Sequence, residues 1–134
     1  MTPRKFRILN VFSLEGKTFS GNPLCVVEDA EGLSDEEMQA IALQFNLSET
    51  TFILPSTKAT ARVRIFMPHV ELPFAGHPML GSASVVREIF SAGDTLTLET
   101  LSGIIPLIAQ NDNWELTAAA PQTRPLEFST DRLA

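Results

Sequence analysis

The eight residues ELPFAGHP, from Glu71 to Pro78, are the stretch around which the rest of this sequence is arranged. Gly76 allows a positive φ or a close backbone approach. Pro78 suits the first position of a helix, because its φ is preset and no N–H is needed there. The stretch predicts a strand-to-helix turn whose free backbone N–H groups suit an anion, with His77 beside them. The alternative is an ordinary turn in which Gly and Pro are punctuation and no ligand binds.

The segments on either side of this turn have opposite periodicities. Apolar and polar residues alternate before it, which predicts a half-buried strand over Ala61–Met67, with Phe66 on the face opposite Met67. The run Met79–Phe90 has helical periodicity instead. It predicts a helix that buries Leu80, Ala83, Val86, Ile89 and Phe90.

A second helix is predicted from local signals alone. Ser34 and Glu37 have the spacing of a capping box, and the acidic run Asp35–Glu37 suits the positive end of a helix dipole rather than a binding site. Asn46 should end the helix, because asparagine tolerates the left-handed conformation found there. The expected buried stripe consists of Met38, Ile41, Ala42 and Phe45.

Short alternating or β-branched runs predict about seven strands, and with the two helices they indicate an α+β fold. The first strand, Phe6–Phe12, places Phe6, Ile8, Asn10 and Phe12 on one face. The last three strands are separated by tight turns, which favours an antiparallel meander. The strands besides Ala61–Met67 are predicted at Phe6–Phe12, Pro23–Glu28, Phe52–Pro55, Thr95–Glu99, Ile104–Ala109 and Trp114–Ala118.

Composition excludes several classes of function. The formal net charge of −6 argues against a nucleic-acid partner, because such proteins carry a basic surface. The single cysteine, Cys25, has apolar neighbours and is expected to be a buried structural thiol in a reducing compartment. No targeting segment is recognisable, and no apolar run approaches the roughly 18 residues of a membrane helix. We therefore expect a cytoplasmic protein that does not enter a membrane.

Glu49 is the candidate acid or base that its position suggests. It follows an amphipathic helix and precedes an apolar strand, so partial burial could raise the pKa of its carboxyl group. The alternative is a solvated loop glutamate. His69 and His77 have a spacing that matches no common set of metal ligands, and the sequence predicts no metal site.

Three separate motifs give the sequence a resemblance to a known family. FSGNPL at Phe19–Leu24, NLSET at Asn46–Thr50 and ELPFAGHP at Glu71–Pro78 resemble the phenazine-biosynthesis F-type (PhzF-like) isomerases over about residues 7 to 125. The resemblance implies a diaminopimelate-epimerase-like fold of two lobes, each a mostly antiparallel sheet wrapped around a central helix. It identifies residues 1–120 as the N-terminal lobe and residues 121–134 as a linker or truncated crossover to a second lobe.

The same resemblance implies a role for each site residue. Glu49 would be the general acid/base that moves a proton between carbons of a small carboxylic acid, without a cofactor. Ser48, Gly76 and His77 would hold and polarise that substrate. Ala75 stands where related amino-acid epimerases have a cysteine, so thiolate chemistry is not expected.

The length of the sequence is the main departure from the family, whose members are about twice as long. The chain could be a fragment, could pair with a second chain that carries the missing lobe, or could self-associate so that two copies mimic two lobes. An isolated lobe should expose the apolar cleft surface, so an oligomer is expected. The alternative to an isomerase is a catalytically incomplete lobe that serves as a binding or oligomerisation module.

Overall fold

The computed structural model describes residues 2–118 and 120–125 of the chain. Within them, eight strands and two helices follow one another in an α+β arrangement. Their order along the chain is β1 (Phe6–Val11), β2 (Asn22–Val27), α1 (Asp35–Phe45), β3 (Thr50–Leu54), β4 (Ala61–Phe66), β5 (Glu71–Leu72), α2 (Gly76–Ile89), β6 (Thr95–Thr100), β7 (Gly103–Gln110) and β8 (Asn113–Leu116).

All eight strands belong to one mixed sheet that curls around α2. The order is β1-β2-β3-β4-β6-β7-β8, with β5 paired to β4. The pairs β2–β3 and β4–β6 are parallel, and the remaining pairs are antiparallel. Both edge strands, β1 and β8, contact α2, so the sheet forms a half-barrel around this helix. The predicted sheet around a central helix and the closing meander β6–β8 are confirmed, whereas β5 was not predicted.

Helix α1 begins and ends as its sequence predicts. The Ser34 hydroxyl accepts a hydrogen bond from the backbone N–H of Glu37 at 3.1 Å, and the Glu37 carboxylate accepts one from the N–H of Ser34 at 2.8 Å. Asn46 ends the helix at a φ of 52°. Met38 and Ala42 are buried, and Ile41 and Phe45 pack beside them.

Helix α2 begins earlier than predicted. Its first residue is Gly76 rather than Met79, so Pro78 is the third residue of the helix and not the first. Pro78 is tolerated there because the N–H groups of a first turn have no intrahelical acceptor. Gly76 does not have the positive φ that glycine would allow. Phe90, predicted to be buried, is 48% exposed.

The sheet separates two apolar layers. The larger lies between the inner face of the sheet and α2, where Leu24, Ile53 and Val86 are among the buried residues. The smaller lies between the outer face and α1, and it contains the buried Cys25 and Phe66. Strand β4 is therefore covered on both faces. Met67, which the alternation placed on the same face as Ala61, is 37% exposed. Desolvation raises the pKa of the Cys25 thiol to about 12, which suits the predicted structural role.

Arg64 joins the start of the ELPFAGHP stretch to α1. Its Nε and Nη2 donate to the two carboxylate oxygens of Glu71, both at 2.7 Å, and its Nη1 donates to Asp35 at 2.6 Å. These carboxylates raise the pKa of the Arg64 guanidinium. Such a bidentate pair has fixed geometry, so Arg64 holds β5 in place just before α2.

Substituting Gly81 in α2 by alanine is expected to destabilise the fold by about 1–3 kcal/mol. An added Cβ would lie 2.5 Å from Leu24 Cδ2 and 3.0 Å from Val11 Cγ2. Leu24 is fully buried and has no free space into which to move. Gly76→Ala is the matched control, because nothing lies within 4 Å of its added Cβ. Urea denaturation of both variants measures the difference, and equal midpoints would contradict the close helix–sheet contact.

The end of the chain adds little to the described fold. Residues 121–125 are exposed and have neither helix nor strand. The predicted linker, residues 121–134, lies mostly outside the described residues, and the division at residue 120 stays a prediction. Among the described helices, none is long and apolar enough to cross a membrane.

Candidate active site

Glu49 and His77 meet at the N-terminus of α2. Glu49 lies between α1 and β3, and His77 is the second residue of α2. His77 Nδ1 is 3.2 Å from Glu49 Oε2, and the two side chains are only 8% and 15% exposed. The contact lacks the alignment of a hydrogen bond. Glu49 Oε2 and His77 Nε2 thus have no hydrogen-bond partner within residues 2–118 and 120–125, although both are buried.

Asn22, the first residue of β2, links the predicted site residues. Ser48 Oγ donates to Asn22 Oδ1 at 3.0 Å, and Asn22 Nδ2 lies 3.4 Å from His77 Nδ1. Because Oδ1 already accepts from Ser48, the amide NH2 is the group that faces the ring. His77 Nδ1 therefore lies beside both the Asn22 amide and the Glu49 carboxylate, and the tautomer of the ring decides which of the two it pairs with.

The first turn of α2 supplies backbone donors beside these side chains. The N–H groups of Gly76 and His77 have no intrahelical acceptor. Ala75 is the N-cap residue, and within the described part of the chain no N-cap side chain accepts a hydrogen bond from these groups. The space where a Gly76 Cβ would lie is empty to 4 Å. The partial positive charge of a helix N-terminus thus lies next to Glu49 and His77.

A buried pair of hydroxyls holds the two halves of the site together. Ser82 Oγ in α2 donates to Thr51 Oγ1 in β3 at 2.8 Å, and both residues are fully buried. Thr51 follows Glu49 by two residues, and Ser82 lies about one and a half turns after His77. This hydrogen bond therefore limits how far the carboxylate and the imidazole can separate.

The structure thus brings the four predicted site residues together, three in direct proximity and one through Asn22. Glu49 and His77 contact each other, and Gly76 adjoins them in the helix, whereas Ser48 is exposed and reaches the site through Asn22. His69 is exposed. Among the described residues, no three His, Cys, Asp or Glu side chains are placed to hold a metal ion.

Sequence reasoning missed Asn22 as a member of the candidate site. The available signal was its place in the FSGNPL motif, which carried the family resemblance without a stated role for the amide. Its three partners are far apart in the sequence, with Ser48 26 residues and His77 55 residues away. Only the pairing of β2 beside β3 brings them together.

The fold and the arrangement at the start of α2 define a half-barrel around one helix, with a carboxylate and an imidazole at the N-terminus of that helix. The sequence matches the family of phenazine biosynthesis-like proteins (PhzC-PhzF) over residues 10–134. The chain belongs to this family.

Several relatives are named isomerases. An uncharacterized isomerase of Pasteurella multocida is 45% identical over 109 residues, which are 80% of this chain and 37% of that protein. The trans-2,3-dihydro-3-hydroxyanthranilate isomerase of Pseudomonas aeruginosa is 40% identical over 119 residues, 88% of this chain and 42% of that protein. The chain therefore spans less than half the length of these relatives.

Solved structures show the same fold. The Bacillus anthracis phenazine biosynthesis protein of the PhzF family matches with a TM-score of 0.77 and 31% identity, over 99% of this chain and 46% of that one. A hydroxyproline epimerase of Agrobacterium vitis matches at 12% identity with a TM-score of 0.58, over 82% of this chain and 40% of that one. The predicted epimerase-like fold is confirmed.

Proposed function

We propose that this chain forms the catalytic lobe of a cofactor-independent isomerase that moves a proton between carbons of a small unsaturated carboxylic acid. Glu49 takes the proton from one carbon as a carboxylate and returns it to another as a carboxylic acid, so no proton is gained or lost overall. The observation that carries the proposal is the buried Glu49 Oε2, which has no hydrogen-bond partner among the described residues and lies 3.2 Å from His77 Nδ1.

The surroundings of Glu49 support this role. Exclusion of water from both side chains strengthens the electrostatic interaction between Glu49 and His77. The free N–H groups of Gly76 and His77 suit the substrate carboxylate and the negative charge that develops when a neighbouring carbon loses its proton.

Proton exchange in D2O tests the proposal. The chain is incubated with trans-2,3-dihydro-3-hydroxyanthranilate, the compound in the name of the Pseudomonas aeruginosa relative, and deuterium at carbon is followed by NMR and mass spectrometry. That relative is the positive control. We expect deuterium at a ring carbon of the product. Absence of deuterium in samples where the relative incorporates it would contradict the proposed activity of this chain.

Asn22→Ala is expected to lower the exchange rate by roughly 3- to 10-fold, the value of one lost hydrogen bond. The substitution frees the Ser48 hydroxyl and removes the amide from His77 Nδ1. Asn10→Ala is the matched control, because its amide in the same hairpin bonds only the backbone carbonyl of Thr18. An equal loss in both variants would show that the hairpin, and not the link to His77, matters.

Exposed apolar side chains favour a second candidate function. In it, the chain is a catalytically incomplete lobe that serves as an oligomerisation module. Phe6 and Ile8 on β1 are 51% and 57% exposed, and Leu14 and Phe19 in the following loop are 61% and 98% exposed. Clusters of exposed apolar side chains mark protein contacts when they adjoin one another. We propose self-association through this face. Sedimentation equilibrium should then give a mass above that of the monomer, and a monomer at all concentrations would exclude self-association.

A further inference from the structure

The buried polar side chains in the described part of the chain are those of Thr50, Thr51, Ser82 and Thr100. Two of them, Thr51 in β3 and Ser82 in α2, meet between the sheet and the helix, where the larger apolar layer lies. A buried hydroxyl costs free energy unless it is hydrogen-bonded, and a pair of apolar side chains of the same shape can be as stable or more so. Stability of the core alone therefore does not require this pair of hydroxyls.

A second hydrogen bond extends this contact to β2. Ser82 Oγ donates to Thr51 Oγ1 at 2.8 Å, and Thr51 Oγ1 donates to the backbone carbonyl of Cys25 at 3.5 Å. The direction of both bonds follows from the last acceptor, because a carbonyl oxygen only accepts. One chain of hydrogen bonds thus joins α2, β3 and β2. Since a hydrogen bond depends on direction and apolar contact does not, this chain fixes the position of the helix along the sheet.

These three elements also carry or adjoin the side chains of the candidate site. Each hydrogen-bonded residue closely follows a site residue in the chain: Ser82 follows His77, Thr51 follows Glu49 and Cys25 follows Asn22. A shift of α2 along β3 would therefore change the distance of 3.2 Å between His77 Nδ1 and Glu49 Oε2. The hydroxyl pair prevents such a shift.

We infer that Thr51 and Ser82 are positioning residues, whose hydrogen bond sets the place of Glu49 relative to His77 during catalysis. This inference rests on the proposed function of the same site. Both residues are fully buried, so neither contacts a substrate, and they act through the two groups that do. The effect on rate is large because a misplacement of about 1 Å at a catalytic group can cost roughly 10²-fold.

The double variant Thr51→Val with Ser82→Ala tests the inference. It should slow proton exchange by roughly 10- to 100-fold. The loss should fall on kcat rather than KM, because the backbone N–H groups that suit the substrate carboxylate remain at the start of α2. The urea midpoint should be no lower than that of the unsubstituted chain, since both partners of the hydrogen bond are removed together. Slower exchange at unchanged stability distinguishes positioning from support of the fold.

Thr50→Val is the matched control. Thr50 is also fully buried in β3, but its hydroxyl has no hydrogen-bond partner among the described residues. Because successive side chains of a strand alternate, it points away from α2. This variant should keep the exchange rate, and Thr51→Ser, which retains the hydroxyl, should exchange faster than Thr51→Val. Equal rates in Thr50→Val and Thr51→Val, or an unchanged rate in the double variant, would overturn the inference.

NMR of the intact chain without substrate separates this inference from the proposed function. The change that Glu49→Gln causes in the nitrogen chemical shifts of the His77 ring is measured in the unsubstituted chain and in the double variant. We expect a smaller change in the double variant, because a displaced carboxylate interacts more weakly with the ring. Equal changes in both backgrounds would overturn the inference, whether or not the chain exchanges protons. A smaller change without proton exchange on any substrate would leave the positioning role standing and remove the isomerase.

Discussion

Glu49→Gln is expected to lower the rate of deuterium incorporation by about 10²- to 10⁴-fold, the usual contribution of a positioned acid or base. Glutamine has the same shape but neither accepts nor returns a proton at this position. The fold should persist, because the substitution removes a buried carboxylate whose Oε2 has no hydrogen-bond partner among the described residues. The thermal midpoint of the variant should therefore be no lower than that of the unsubstituted chain.

The control for this experiment is Glu36→Gln, which makes the same charge change at an exposed position in α1. It should leave the exchange rate unchanged. Exchange that persists in Glu49→Gln at the rate of the unsubstituted chain would show that another group moves the proton. His77 would then be the first alternative, because its Nδ1 lies 3.2 Å from Glu49.

Gly21→Ala should give the largest loss of stability, about 2–5 kcal/mol. Gly21 has a φ of +93°, which is unfavourable for alanine. The added Cβ would overlap the carbonyl oxygen of Val11 at 2.4 Å and lie tightly against the backbone of Phe12 and Ser13. Backbone atoms of the loop between β1 and β2 cannot rotate away from the added Cβ, whereas the end of a side chain could. Because Asn22 is the next residue, the same variant should also disturb the link to Ser48 and His77 and slow proton exchange.

Gly16→Ala isolates the steric part of this effect. Gly16 lies in the same loop with a φ of +73°, but nothing is within 4 Å of its added Cβ. Its loss should be limited to the cost of a left-handed alanine, about 1–2 kcal/mol. Urea denaturation of the two variants under the same conditions measures the difference. Equal losses would show that the close approach at Gly21 contributes nothing.

Local structure was predictable wherever neighbouring residues decide it. The capping box of Ser34 and Glu37 and the end at Asn46 involve contacts within one helical turn, and α1 was predicted with its observed bounds. The β6–β8 meander was also predictable, since short turns connect adjacent antiparallel strands. The start of α2 was placed too late, because Gly76 and Pro78 are residues typical of a turn. Proline is nevertheless tolerated in the first turn of a helix, where the N–H that it lacks would have no acceptor.

The candidate site was predicted in its residues but not in its connections. The motifs identified Glu49, Ser48, Gly76 and His77, and the structure brings them together. The link through Asn22 was not predicted, because the partners of its side chain are distant in the sequence.

The sequence by itself determined the two helices, most of the strands and the family, because periodicity, caps and motifs depend on residues that are close together in the chain. It also named the residues of the candidate site, whose roles stay predictions. Only the tertiary structure decided the parallel pairs β2–β3 and β4–β6, the closing of the sheet around α2 and the contact between Glu49 and His77. These features depend on strand register and on burial of α2 by both edges of the sheet. Pairing between distant strands is chosen by the total packing of the core, which no local stretch of sequence contains.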